Sequence, residues 1–163
     1  MIATDTPGAM ITEMRLRRMN DRDLKLCLFY CSNSSDGTRL AECCRRVGID
    51  TPKTIGLPCS GKVNLPYLVK AFETGADGVF IVTCGADQCR GLEGSLRAGK
   101  RAQALDSLLA EIGLGTGRVA VVSAGDNPDE VGRELEAFCS RLREGPRPPR
   151  ATAEALDSSR PAP

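Results

Sequence analysis

Gly78-Val79-Phe80-Ile81-Val82-Thr83 is a short apolar run rich in β-branched and aromatic residues, and it reads as a buried strand. Upstream, Leu65 to Thr74 has helical character and is closed by Gly75 as a C′ residue. Downstream comes a loop from Cys84 to Gly94 and then a long amphipathic stretch from about Ser95 to Ile112. The same alternation recurs along the chain. Leu24 to Tyr30 reads as a strand, Cys31 to Gly37 as a polar loop, and Thr38 to Val47 as a helix stopped by Gly48. A strand around Lys53 to Leu57 and the loop Pro58 to Lys62 precede the helix at Leu65. The last unit is a strand from Arg118 to Val122 and a helix from Pro128 to Leu142. Strands that alternate with helices predict an α/β domain: a parallel sheet of about four strands with helices on both faces, a flavodoxin-like or Rossmann-like three-layer sandwich.

The ends differ from this core. Residues 1–22 lack sustained periodicity and carry Arg15, Arg17, Arg18 and Arg22, which reads as an N-terminal arm. Residues 144–163 hold five of the ten prolines and read as a Pro/Arg-rich tail. Both are too poor in large apolar residues to offset their ordering entropy alone, so each is expected to stay loose or to fold on a partner. The domain proper is therefore expected at 23–143.

Composition narrows the chemistry. The 163 residues include eight cysteines, no histidine and no tryptophan, with 22 basic side chains against 21 acidic ones and 41% apolar residues. A formal net charge of +1 gives no global attraction to nucleic acid or to an anionic membrane. Without histidine, mixed Cys/His zinc sites, Rieske-type clusters and every His-dependent acid-base mechanism are excluded. No apolar run is long enough for an integral membrane segment, and the N-terminus has no secretory h-region, so a cytoplasmic location is expected. In a reducing compartment, clustered cysteines point to metal or redox work rather than disulfides.

The predicted topology gives the cysteines places. Cys31 follows the first strand, Cys59 the second and Cys84 the third, with Cys89 five residues later in the same loop. In a parallel sheet with right-handed crossovers these loops share one edge, where ligand sites form. Four convergent thiols suit zinc or an iron-sulfur cluster, and Ser60, Gly61, Gly85, Gly91 and Gly94 permit tight turns with amide donors near sulfur. The plainer reading is that free cysteines pack as small hydrophobes, but polar, glycine-containing loops are poor places to bury them. Cys139 shares a helical stripe with Val131, Leu135, Phe138 and Leu142 and is expected in the core. Cys43 and Cys44 point about 100° apart on a helix, so at most one faces any site. Cys27 lies on the strand face of Cys31 but roughly 13 Å from it. Core packing is its expected role, with substitution as a ligand the alternative.

Read together, three segments resemble a known family. Pro58-Cys59-Ser60-Gly61-Lys62, then Lys70-Ala71-Phe72-Glu73-Thr74-Gly75-Ala76-Asp77-Gly78-Val79, then Thr83-Cys84-Gly85-Ala86-Asp87-Gln88-Cys89 are similar to the small iron-sulfur (delta) subunit of methyl-viologen-reducing hydrogenases, over roughly residues 24–143. The resemblance implies a 2Fe-2S cluster and electron transfer between a catalytic oxidoreductase partner and a flavin-containing, heterodisulfide-reductase-A-like subunit. Relatives work with hydrogenases and formate dehydrogenases, and in anaerobes with tungsten-containing benzoyl-CoA reductase complexes. Carried over, it makes Cys31, Cys59, Cys84 and Cys89 the ligands. Two departures stand out. The family often reads Cys-Cys-Asn-Trp-Cys where this chain has Cys27-Leu28-Phe29-Tyr30-Cys31, and Gly85 and Arg90 occupy positions where histidines are often found.

An electron carrier needs a cluster, a nearby surface and docking complementarity, and no substrate-converting site of its own is expected here. Arg90, Arg97, Lys100 and Arg101 follow Cys89 and predict either a basic rim that orients an acidic partner or an ordinary solvated helix face. Two alternatives stand beside electron transfer. One is a structural four-cysteine zinc module, disfavoured because only one pair among the four candidate ligands, Cys84 and Cys89, is close in sequence. The other is a thiol redox protein using Cys84 and Cys89, which lacks a Cys-x-x-Cys motif.

Overall fold

The computed structural model describes residues 23–125 and 128–146. The expected arm and nearly all of the expected tail lie outside the described residues. Within them, four strands, β1 (Leu26–Cys31), β2 (Lys53–Leu57), β3 (Gly78–Cys84) and β4 (Val119–Ala124), alternate with four helices. The helices are α1 (Gly37–Arg46), α2 (Leu65–Glu73), α3 (Gly94–Glu111) and α4 (Pro128–Glu144). All pairings are parallel, in the order β2-β1-β3-β4. The α/β sandwich read from the sequence is the observed architecture.

Strand alternation explains the two cores. Leu26 and Leu28 of β1 and Phe80 and Val82 of β3 face one side, where Leu40 and Cys44 of α1 and Val131, Leu135, Phe138 and Cys139 of α4 cover them. Cys27, Phe29, Val79 and Ile81 face the other, beneath α2 and the Ala98, Ala102, Leu105 and Leu109 stripe of α3. Because β3 has a helical layer on both faces, all seven of its residues are buried, and its continuous apolar run follows from that. Gly78 gives α4 room: a methyl there would come within 2.9 Å of the Phe138 ring. Phe138 in turn packs on Phe80 with ring centroids 5.6 Å apart, a tilted geometry favoured by the ring quadrupoles.

Turn chemistry closes the units. Asn64 caps α2 by accepting from the Tyr67 amide at 3.0 Å, with Pro66 inside the first turn. Gly75 ends that helix at φ +89, a conformation suited to glycine. The last strand starts one residue later than expected, since Arg118 is buried beneath it. Its guanidinium donates to the carbonyls of Leu114, Asp77 and Pro146, while Asp106 accepts from its amide at 3.0 Å. Among the described residues no helix is long and apolar enough to cross a membrane.

Candidate metal centre

Parallel pairing in this register brings the carboxyl ends of β1, β2 and β3 to one edge. Cys31 is the last residue of β1 and Cys84 the last of β3. Cys59 directly precedes a 3-10 turn at Ser60–Lys62, and Cys89 directly follows another at Ala86–Gln88. Cys31, Cys84 and Cys89 form a buried cluster of their own, with half-buried Cys59 packed against it. The four positions singled out from the sequence therefore come together. Cys27 does not join them, since it sits in the apolar layer with Phe29 and Val79. Cys44 and Cys139 are buried in the opposite core, and Cys43 is half-buried at its margin.

The loops are fastened to each other by the backbone. Ser32 donates its amide to Leu57 O at 2.9 Å, and the Asn33 side chain donates to Pro58 O at 3.3 Å, so the β1 and β2 loops hold one relative position. Gly61 and Gly94 face one another across the site: a Cβ at Gly61 would lie 2.8 Å from the Gly94 Cα. A Cβ at Gly91 would come within 2.9 Å of the Cys59 sulfur, and one at Gly94 within 3.0 Å of the Cys89 sulfur and closer still to that of Cys59. These glycines form a cradle for sulfur, and their role goes beyond allowing tight turns.

Arg101 braces this arrangement. It was expected either on a basic rim or on a solvated helix face, but its guanidinium turns inward and donates to Gly61 O at 2.7 Å and to Val63 O, satisfying carbonyls that the 3-10 turn leaves open. Arg97 pairs with Glu93 at 3.2 Å. Only Arg90 and Lys100 of the expected four remain as exposed cations without such a role in the loop. The inward turn has a simple cause: the close contact between α3 and the Ser60–Lys62 turn puts bare carbonyls within reach of a helix arginine.

Electrostatics differ sharply between neighbouring sulfurs. Burial above all, with hydrogen bonding to Cys89 and the proximity of Cys31 adding to it, pushes the Cys84 thiol up to about 12. Cys89 moves the other way. The Ser95 amide holds its thiol below the ordinary value, helped by a hydrogen bond from Cys84 and by the amides of Gly91 and Gly94. Gly94 and Ser95 are the first residues of α3, so the open N–H groups and positive dipole end of the helix stabilise negative charge on that sulfur. Amide donors from Gly91 and Gly94 were expected near sulfur from the sequence; the larger contribution of Ser95 to one particular sulfur, that of Cys89, was not. A helix start with four residues between it and a cysteine, as from Cys89 to Gly94, is the signal that points to it.

The donor set fits an iron-sulfur cluster. It consists of four thiols from three loops, with backbone amides aimed at one sulfur and glycines in place of side chains around another. Among the described residues no group of His, Cys, Asp or Glu is spaced as a ready-made cage for a single metal ion. Binding a cluster would require the thiols to shed their protons.

Comparison with known proteins places the chain among relatives. The family described as methyl-viologen-reducing hydrogenase, delta subunit, matches residues 26–144. An F420-non-reducing hydrogenase iron-sulfur subunit from Archaeoglobus profundus is 39% identical over 96 residues, covering 56% of this chain and 70% of that protein. The vhu iron-sulfur subunit of the F420-non-reducing hydrogenase of Methanocaldococcus jannaschii is 32% identical over 103 residues, covering 62% of this chain and 77% of that protein. The A component of a ferredoxin:CoB-CoM heterodisulfide reductase from Methanosarcina mazei is 31% identical over 94 residues, which are 56% of this chain but only 12% of that protein.

Proposed function

The chain belongs to the methyl-viologen-reducing hydrogenase delta-subunit family, and from that premise we propose that it is an electron-transfer subunit in which Cys31, Cys59, Cys84 and Cys89 hold a 2Fe-2S cluster. One observation carries the reading: these four thiols, distant in sequence, form a single group at the carboxyl edge of the sheet, apart from both apolar cores. Bound there, a cluster supplies a one-electron redox centre. The chain's own residues do the rest. The cores fix the three loops, Arg101 locks the turn after Cys59, and the first amides of α3 compensate negative charge at Cys89.

Cys59 is the one member of the group that is not buried, so electrons enter or leave on its side. The partners in this reading are a catalytic oxidoreductase, of hydrogenase, formate dehydrogenase or benzoyl-CoA reductase type, and a heterodisulfide-reductase-A-like flavoprotein, together in the cytoplasm of an anaerobe. Its support is that similar sequence occurs both in separate hydrogenase iron-sulfur subunits and inside the much longer A component of a heterodisulfide reductase. Such a distribution suits a module that works beside a flavoprotein of that kind.

Iron, zinc and acid-labile sulfide analysis of anaerobically purified protein tests this, together with electron paramagnetic resonance after dithionite. The expected result is brown protein with equal iron and sulfide, and a signal that appears on reduction. Colourless protein with stoichiometric zinc contradicts it and supports a structural zinc module. Metal-free protein with one reactive thiol supports thiol redox chemistry.

A further inference from the structure

Among the described residues, Ser60 Oγ is the buried side-chain polar atom without a hydrogen-bond partner. Ser60 is 1% exposed, so bulk water does not satisfy it. A hydroxyl in that state is costly, and native folds rarely leave one without a purpose. The backbone around it is satisfied, since Ser60 O accepts from the Val63 amide at 3.1 Å. The open atom is on the side chain.

Its position indicates what it lacks. Ser60 directly follows Cys59 and opens the Ser60–Lys62 turn, which packs against β1, β3 and α3. Those elements carry Cys31 and Cys84 and adjoin Cys89. The neighbouring loops contribute thiols and glycines to this region. No cysteine sulfur of the described residues accepts from the hydroxyl, yet sulfur is what these loops bring to the neighbourhood of the turn.

We propose that the Ser60 hydroxyl donates a hydrogen bond to a sulfur of the bound cluster and thereby raises its reduction potential. The inference rests on the cluster reading above. Reduction adds negative charge that spreads onto the sulfurs, so a fixed O–H donor favours the reduced form. Without the cluster the hydroxyl is stranded; with it, this buried side-chain atom gains a partner.

The test is a redox titration, followed by electron paramagnetic resonance, of the full-length protein and its Ser60→Thr, Ser60→Cys and Ser60→Ala variants. At a fixed potential near the midpoint, Ser60→Ala should lower the ratio of reduced to oxidised cluster about tenfold, a downward shift of about 59 mV for a one-electron couple. Ser60→Thr keeps the hydroxyl and should stay near the parent. Ser60→Cys, a weaker donor, should fall between, and it decides the matter if the alanine variant does not retain the cluster. Electron-nuclear double resonance in deuterated buffer supplies a second readout: an exchangeable proton coupled to the cluster should be lost in Ser60→Ala. Normal cluster content with unchanged potential and unchanged couplings in the alanine and cysteine variants overturns the Ser60 assignment alone. A parent protein without iron and sulfide overturns the cluster reading and this inference with it.

Discussion

A methyl group at Gly94 would fall within 3.0 Å of the Cys89 sulfur and would press harder still on that of Cys59. Gly94 is also the first residue of α3, so the preference of helix interiors for alanine offers little in return. Gly94→Ala should lose most of its iron even where the variant stays folded; full cluster content in that variant would show that the cradle is not needed. Arg101→Met should keep the fold but speed cluster loss, since the Gly61 and Val63 carbonyls lose their donor. Equal rates of bleaching in parent and variant would contradict this. At this scale the sequence was informative about cysteines and little else. Cys31, Cys59, Cys84 and Cys89 were legible because strand ends fix loop positions. The inward turn of Arg101 and the stranded hydroxyl of Ser60 depend on which carbonyls and sulfurs other elements deliver, and no local pattern records that.

Between elements, the α1–α4 contact holds two core thiols. Burial pushes Cys44 up to about 12 and Cys139 up to about 11. A thiol whose folded pKa is raised stabilises the fold fully below the unfolded pKa, and that stabilisation is lost as pH rises through the folded value. Unfolding of the cluster-free protein by urea should therefore become easier from about pH 9 toward 12, the ordinary thiol value and the raised one. The Cys44→Ala/Cys139→Ala double variant should start less stable, because of the cavities it creates, and show a flatter alkaline decline. An equal slope in parent and variant would rule these thiols out as its source. Elements were also the most legible level of the fold. β1 and β3 announced themselves as apolar runs, and Gly48 and Gly75 marked helix ends with φ of +80 and +89. Boundaries shifted by one or two residues at most elements, and two of the shifts coincide with tertiary contacts, at buried Arg118 and at Gly94 beside the Cys89 sulfur.

Across the molecule, sulfur burial is lopsided. Beyond the half-buried Cys59 stand two exposed leucines, Leu92 at 88% and Leu96 at 55%. Leu92 has a left-handed backbone, φ 57, in the loop between Cys89 and α3, a conformation that a bulky residue adopts at a cost of about 1–3 kcal/mol. An apolar tip held outward beside the proposed electron exit suits docking. In the intact complex, Leu92→Glu should slow electron exchange between subunits several-fold with the cluster potential unchanged; unaltered exchange would place the docking face elsewhere.

If four particular thiols of the eight hold the cofactor, iron and sulfide content in eight single Cys→Ser variants, each purified anaerobically under identical conditions, is the most direct test. Large losses or altered resonance spectra are expected at Cys31, Cys59, Cys84 and Cys89, and near-parental content at Cys27, Cys43, Cys44 and Cys139 wherever the variant remains folded. Full, unaltered clusters in any of the first four, or a folded Cys27→Ser protein stripped of iron, would contradict that assignment.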